Sequence, residues 1–210
     1  MKNYVRSTID FYDKNINEYV AKTSDLHDDI WIEKFVSLLP KDGKILDIGC
    51  AFGRDVNIFI QKGFNAIGVD LSSNMIAKAQ SLYPKAKFKV MDMMSLDFKD
   101  DTFDGIWCSA TLLHLTKNDA IIALREMNRV LKNKGYLYLN LKEGQGEKTI
   151  ADNRYRDAKK FYSYYTVDEI KKVLSDNKFF TKDIKSIVDE NDQYRDTGII
   201  YLIAQKNYIA

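Results

Sequence analysis

The sequence predicts an α/β fold of three layers, in which helices cover both faces of a seven-stranded, mostly parallel sheet whose last strand is antiparallel. Short apolar runs that alternate with helical spacing indicate five β–α units. Two more β-rich runs, Thr181 to Val188 and Gly198 to Gln205, are joined by a short charged turn and should pair antiparallel. A length of 210 residues is consistent with one domain over residues 1–210.

Composition predicts a cytoplasmic protein with no membrane or nucleic-acid partner. The net charge of +2 creates no field that would attract polyanions, and no apolar run approaches transmembrane length. The N-terminal residues lack a signal-peptide core. Cys50 and Cys108 end two predicted strands and could approach each other if those strands are neighbours, but reduced packing residues are the favoured interpretation.

Residues 1–39 are predicted to form a helical cap of two helices before the first strand. One apolar face includes Ile9, Tyr12 and Tyr19, and a second includes Phe35 and Leu39. Packing and a lid function are both compatible with this pattern.

The stretch ILDIGCAFGRD, Ile45 to Asp55, is the centre of the predicted site. Its apolar run predicts a buried strand, its small residues predict a tight turn, and helical spacing begins at Arg54. A dinucleotide loop would need a third glycine where Arg54 stands, and Asp47 beside the loop favours an ammonium over a phosphate. A purely structural strand–turn–helix remains an alternative on this stretch alone.

The next two strands also end in carboxylates. Asp70 follows the first loop glycine by 21 residues, the spacing at which an α/β fold places an acid that accepts two ribose hydroxyls. Asp92 closes the third strand with Met93 and Met94 behind it. Asp92 could also be a turn residue, and the methionines could be core.

The glycine loop, Asp47 to Gly53, resembles the first motif of class I S-adenosylmethionine (SAM)-dependent methyltransferases. That motif reads D-x-G-x-G-x-G, and Ala51 stands in place of its middle glycine. The resemblance implies a Rossmann-like fold, SAM as cofactor with S-adenosylhomocysteine as product, and no metal. It also implies that Asp92 accepts a hydrogen bond from the adenine amino group while Met93 packs on the adenine ring. The Phe11-Tyr12 and Tyr19 pattern resembles the opening segment that covers the cofactor in many small-molecule methyltransferases. The expected cofactor-binding residues are Asp47, Gly49, Cys50, Ala51, Gly53, Arg54, Asp70, Leu71, Asp92, Met93, Met94, Ser109 and Tyr19.

The acceptor side is predicted after the fourth and fifth strands. Cys108 to Thr111 should border the site and lack the [DNS]-P-P-[YF] tetrapeptide, which argues against nucleobase amines and protein glutamine. Lys132 to Gly135 is predicted to cap a helix, followed by a strand from Tyr136 to Leu141. Residues 143–165 are expected to form a lid that contacts the acceptor. Its candidate specificity residues are Lys142, Glu143, Arg154, Tyr164 and Tyr165.

The predicted function is methyl transfer to N or O of a small molecule or short peptide. His114, Glu143 and Tyr12 are the candidate catalytic residues, because each could take a proton from a hydroxyl or amine. Alternatively, His114 packs beneath the next helix or caps it. The competing functions are a tRNA- or rRNA-modifying methyltransferase, a non-catalytic SAM-binding partner protein and, more remotely, an NAD-linked oxidoreductase. The chain is expected to be a monomer or homodimer.

Overall fold

The computed structural model describes residues 2–151, 159–187 and 197–207. The described strands are β1 (Lys44–Ile48), β2 (Asn65–Asp70), β3 (Lys87–Val90), β4 (Phe103–Cys108), β5 (Leu131–Lys142), β6 (Glu147–Ala151), β7 (Lys159–Ser163), β8 (Phe179–Ile187) and β9 (Ile199–Lys206). The described helices are α1 (Asn3–Lys14), α2 (Ile16–Thr23), α3 (Asp29–Ser37), α4 (Arg54–Gln61), α5 (Ser73–Leu82), α6 (Lys117–Val130) and α7 (Val167–Asp176), with a short 3₁₀ turn at Leu112–His114.

Seven strands form one sheet in the order β3-β2-β1-β4-β5-β9-β8. Strands β1 to β5 pair in parallel, whereas β9 is antiparallel to both of its neighbours, β5 and β8. The predicted fold class is therefore confirmed, including the antiparallel last strand.

The strands have two buried faces, as their alternation requires. In β5, Leu137, Leu139 and Leu141 join a core that includes the buried faces of α6 and α7, whereas Tyr138 points into a second core beneath α3, α4 and α5. A sheet covered on both faces gives the predicted three-layer sandwich.

The carboxyl ends of the parallel strands lie along one edge of the sheet. Residues that follow β1, β2, β3 and β4, together with the last residues of β5, face a common space there. In open α/β sheets this edge is where ligands bind. The helices α1 and α2 lie over the same edge, because Tyr12 and Tyr19 border that space.

The N-terminal region contains three helices, so the prediction of two was wrong. Helix α1 ends at Lys14, and α2 begins at Ile16. At the break, the side-chain amide of Asn15 donates to the carbonyl oxygen of Phe11 at 2.8 Å. Such local hydrogen bonding competes with the backbone ladder of a helix.

The segment after α6 also differs from the prediction. Strand β5 begins at Leu131, which pairs with Phe103, and pairing resumes at Tyr136 opposite Gly105. Lys132 to Gly135 therefore lies inside β5, where the pairing with β4 shifts register, rather than capping a helix, and Lys134 is in the left-handed region at φ 64°.

Residues beyond β5 form more structure than expected. Strands β6 and β7 pair antiparallel as a separate two-stranded sheet. Helix α7 is capped by Thr166, whose hydroxyl accepts from the Glu169 N–H at 3.2 Å. Arg154 and the charged turn between the last two strands lie outside the described residues.

Candidate active site

Two adjoining cavities open at the carboxyl edge of the sheet. The smaller, about 120 Å³, lies beside the ends of β2 and β3. The larger, about 390 Å³, extends from the β1–α4 loop to β5 and β7. Both are lined by Tyr12, Tyr19, Gly49, Ala51, Ser109, Ala110 and His114. Because they share this wall, one ligand can bind across the boundary, with a second ligand beside it.

Asp70 is positioned by the backbone of two loops. One carboxylate oxygen accepts from the Ala51 N–H at 3.0 Å, and the other accepts from the Ser72 N–H at 2.8 Å. Burial raises the pKa of Asp70, and the nearby Asp13 adds to the shift. Each oxygen keeps a second lone pair, so the carboxylate can accept two further hydrogen bonds.

Asp92 lies on the wall of the smaller cavity. Its carboxylate accepts from the Met94 N–H at 2.8 Å, which is the hydrogen bond of an Asx turn. Leu71, Met93 and Met94 are half-buried and line the same cavity. The smaller cavity therefore combines two carboxylates with apolar and thioether surface.

The glycine loop owes its glycines to packing as well as to conformation. Gly49 has φ 73°, and a Cβ there would lie 2.1 Å from the Thr111 hydroxyl oxygen. Gly53 has φ 83°, and a Cβ there would lie 2.5 Å from the Phe88 ring. Ala51 also adopts a positive φ, 47°. Gly49 and Ala51 border both cavities, whereas Gly53 borders neither, so a direct contact of Gly53 with a ligand in these cavities is not supported.

An acidic pair with one arginine forms the floor of the larger cavity. Asp55 accepts from Arg54 Nε at 2.6 Å and from Trp107 Nε1 at 3.0 Å, and Arg54 also donates to the Thr23 carbonyl at 2.7 Å. Asp47 is 2% exposed, and its Oδ2 atom has no hydrogen-bond partner among the described residues. Burial raises the pKa of Asp47 well above its usual value, and the Asp55 charge adds to the shift. This carboxylate lacks the partner that a buried charge normally has.

The two cysteines lie on opposite faces of the sheet. Cys50 lines the larger cavity, but its sulfur packs against Gly68, where an added Cβ would lie 2.7 Å away. It belongs to the core beneath α4, whereas Cys108 belongs to the core beneath α6, and both thiols are free. Burial raises the pKa of both thiols, that of Cys108 to about 12.

His114 and Tyr12 meet where the cavities join. Tyr12 Oη lies 3.1 Å from His114 Nε2, and His114 Nδ1 lies 2.9 Å from the Phe161 carbonyl oxygen. A carbonyl only accepts, so Nδ1 donates to it and carries the proton, and the lone pair of Nε2 accepts a hydrogen bond from the Tyr12 hydroxyl. Tyr19 supports the arrangement from α2, with its ring 5.2 Å from that of Tyr12.

Glu143 does not join this group, and its assignment as a catalytic candidate stays a prediction. Its carboxylate accepts a hydrogen bond from the Ser186 hydroxyl, and it lines neither cavity. Asn140 and Lys142 line the larger cavity instead. Asn140 and Lys142 stand at alternate positions of β5. Strand alternation therefore places their two side chains on one face of the sheet, and that of Leu141 between them on the other.

Several cavity residues were not identified from the sequence. Asn140 could have been, because it is a polar residue near the carboxyl end of a buried strand, the same signal that marks Asp70 and Asp92. Lys160 gave no such signal, because its burial depends on α1 packing over β7. The other missed residues include Thr8, Ser72 and Asp28.

Comparison with known proteins identifies the family. A family described as a methyltransferase domain matches residues 46–139. An uncharacterized protein of Methanocaldococcus jannaschii is 30% identical over 192 residues, 85% of this chain and 81% of that protein. A SAM-dependent methyltransferase of Methanosarcina mazei is similar in structure, with a TM-score of 0.76 and 25% identity over 88% of this chain and all of that one. The chain belongs to the class I SAM-dependent methyltransferases.

A further methyltransferase structure contains ligands. The 1,6-didemethyltoxoflavin-N1-methyltransferase of Burkholderia thailandensis has 1,6-didemethyltoxoflavin and S-adenosylhomocysteine bound; it has a TM-score of 0.78 and 20% identity, covering 98% of this chain and 89% of that one. This chain spans less than half the length of several other methyltransferases that it matches.

The residues of this methyltransferase fit its cofactor, SAM. The partnerless oxygen of Asp47 suits an ammonium group, the free lone pairs of Asp70 suit vicinal hydroxyls, and Met93 and Met94 offer polarizable surface to an aromatic ring. Among the described residues, no group of three or more His, Cys, Asp or Glu side chains is placed to hold a metal ion. Within the same residues, no helix has the length and apolarity to cross a membrane.

Proposed function

We propose that this methyltransferase transfers the methyl group of SAM to a nitrogen or oxygen atom of a small molecule. The observation that carries the proposal is the junction of the two cavities at Tyr12 and His114, because it brings a pocket lined by Asp70 and Asp92 and a second, larger pocket to one proton acceptor. A volume of about 390 Å³ suits a small acceptor or the end of a short peptide.

The smaller cavity would hold the adenosine half of the cofactor. Asp70 would accept hydrogen bonds from the two ribose hydroxyls with its remaining lone pairs. Asp92 would accept a hydrogen bond from the adenine amino group. Leu71, Met93 and Met94 would pack on the adenine ring. Thr8 in α1 lines the same space, so α1 would close over the bound nucleoside.

The glycine loop would hold the methionine half. Asp47 would bind the ammonium group with Oδ2, which has no hydrogen-bond partner in the part of the chain that the structure describes, and Gly49, Ala51 and Ser109 would place backbone and hydroxyl groups around the sulfur end. The cationic sulfonium supplies a methyl carbon that is already activated toward nucleophiles. The protein therefore has to orient the acceptor in line with the methyl group and exclude water.

His114 would act as the proton acceptor. When the acceptor heteroatom takes the methyl group that bound SAM would supply, the proton of that heteroatom would pass to His114 Nε2. The Phe161 carbonyl fixes the required tautomer and stabilises the imidazolium that results. Tyr12 shares Nε2, so it would either relay the proton or yield its place to the acceptor.

Residues 1–39 and 143–165 would act together as a cap over both cavities. Helix α1 packs on β7, with the Tyr4 and Phe161 rings 4.7 Å apart, so the two segments already touch. The buried free thiols favour a reducing, cytoplasmic location.

The test is transfer of labelled methyl from SAM into cell extract that has been separated into metabolite, RNA and protein fractions. We expect label in the metabolite fraction, at least tenfold less with His114→Asn, and unchanged binding of S-adenosylhomocysteine by that variant. Label confined to RNA would contradict the proposed acceptor class. Tight cofactor binding with no transfer to any fraction would indicate a non-catalytic SAM-binding protein.

A further inference from the structure

Helix α2 lies over the carboxyl edge of the sheet although it contributes nothing to the hydrophobic core. Its eight residues are all described, and none of them is buried. Tyr19 of this helix nevertheless lines both cavities, and Thr23, its last residue, lines the larger one. A helix this short is not stable in isolation. Contacts with the rest of the fold must therefore hold α2 over the cavities.

Arg54 makes one of these contacts. It is the first residue of α4, directly after the glycine loop, and its Nη1 atom donates to the Thr23 carbonyl oxygen at 2.7 Å. The last carbonyl groups of a helix have no partner within that helix, and a cation beside them also interacts favourably with the helix dipole. Arg54 therefore connects the end of α2 to the loop that would hold the methionine half of the cofactor.

The guanidinium of Arg54 is also fixed on the side of the sheet. Its Nε atom donates to Asp55 at 2.6 Å, and the other carboxylate oxygen of Asp55 accepts from Trp107 Nε1 at 3.0 Å. The Arg54 side chain is only 22% exposed. Because Asp55 already balances the charge of Arg54, the attraction of this guanidinium for a second carboxylate, such as that of the cofactor, is reduced.

An aromatic contact lies beside this hydrogen bond. Phe52 of the glycine loop lies edge-on to Tyr19, with ring centres 6.0 Å apart. Helix α2 and the glycine loop thus meet at two points, and both line the larger cavity. A change in the distance between α2 and the loop would therefore change the access to that cavity.

We propose that Arg54 is a positioning residue that holds α2 closed over the bound cofactor and so slows its release, rather than a ligand of the cofactor carboxylate. The inference rests on the proposed placement of the cofactor in the two cavities. Opening of α2 requires the hydrogen bond between Arg54 and Thr23 to break. A ligand confined to the smaller cavity would be released faster too, because Tyr19 lines that cavity as well.

The test compares the dissociation of S-adenosylhomocysteine with that of methylthioadenosine, which lacks the amino-acid part, by stopped-flow displacement. We expect Arg54→Met to release both ligands faster by a similar factor of about ten, the usual effect of losing a hydrogen bond to a charged group. Arg54→Lys should also release both faster, because an ammonium keeps the charge beside Asp55 but lacks the planar fork that reaches both partners. Arg125→Met is the matched control, because Arg125 is exposed on α6 and lines neither cavity. It should leave both rates unchanged.

Hydrogen exchange separates positioning from a general loss of stability, and Arg54→Lys provides this reading even if Arg54→Met does not fold. The amides of α2 should exchange faster in Arg54→Lys, whereas those of β1 and β4 should keep their parental rates. Parental exchange in α2 would overturn the inference, as would unchanged dissociation of both ligands. Faster dissociation of S-adenosylhomocysteine alone would also overturn it, because Arg54 would then hold the amino-acid part directly. A parent protein that binds neither ligand would contradict the proposed cofactor placement instead.

Discussion

Asp47 illustrates how one side chain can trade stability for binding. Its carboxylate is almost fully buried, its Oδ2 atom has no described partner, and the Asp55 charge lies nearby. An ionised group in that position destabilises the unliganded fold. The same group is available for a cationic ligand, which explains why the destabilisation would be tolerated.

Asp47→Asn should therefore stabilise the free protein and weaken cofactor binding. We expect the free energy of unfolding at pH 7 to rise, because the neutral amide places no ionised group in this buried site. Affinity for S-adenosylhomocysteine should fall at least tenfold. Denaturant titration and calorimetry measure the two effects, and a less stable variant with unchanged affinity would contradict the assignment.

The pH dependence has a definite sign. Because the pKa of Asp47 is raised in the folded state, its contribution to stability is fully present below about pH 4 and is lost as the pH rises through the folded value. The stability difference between Asp47→Asn and the parent should therefore shrink on acidification. Asp55→Asn is the matched control and should destabilise, because Asp55 is paired with Arg54 and Trp107.

At the level of elements, α1 is held closed by contacts at both ends. Asp119 of α6 accepts hydrogen bonds from Lys2 Nζ and the Tyr4 hydroxyl at one end. At the other end, Asp13 accepts from the Ser72 hydroxyl beside Asp70. A helix fixed in this way can close over a bound nucleoside and delay its release.

Asp119→Asn should loosen α1. We expect the free energy of unfolding to fall by about 1.5–3 kcal/mol, the usual range for hydrogen bonds to a charged group, and S-adenosylhomocysteine to dissociate several-fold faster. Stopped-flow displacement measures the rate, with Asp100→Asn as an exposed control that leaves it unchanged. An unaltered dissociation rate would show that α1 does not limit release.

Acid should weaken the same contact. Burial alone would raise the pKa of Asp119, but hydrogen bonds from Lys2, Tyr4 and Thr116 outweigh it, so the net pKa is lowered. A lowered folded-state pKa means that the stabilisation is present at neutral pH and is lost as the pH falls through the folded value.

Some features of the strands and helices could be predicted from the sequence, and others could not. Strand ends marked by Asp47, Asp70 and Asp92 were predictable, because buried parallel strands read as apolar runs and their carboxyl ends share one edge. The helix break at Asn15 was not, because the apolar spacing continues across it. The burial of Lys160 was not predictable either, since it depends on the long-range packing of α1 on β7.

For the whole molecule, cofactor binding should stabilise the folded state. S-adenosylhomocysteine at 100 times its Kd should add about 2.7 kcal/mol and raise Tm by about 5–10 °C for a chain of this size. Methylthioadenosine, which lacks the amino-acid part, should raise Tm less, and NAD should leave it unchanged. Thermal denaturation followed by circular dichroism measures all three, and an equal shift with NAD would contradict a SAM site.

The central claim is that carboxylates on two neighbouring strands hold the adenosine half of the cofactor. Calorimetric titration of S-adenosylhomocysteine into Asp70→Asn and Asp92→Ala tests it most directly, with Asp104→Asn as a control at the opposite edge of the sheet, where Asp104 binds the Lys44 N–H and Lys132. We expect the first two variants to bind S-adenosylhomocysteine at least about tenfold more weakly than the parent protein does. The control should bind it with parental affinity. If the first two variants are folded and bind as tightly as the parent, the assignment of the site is wrong.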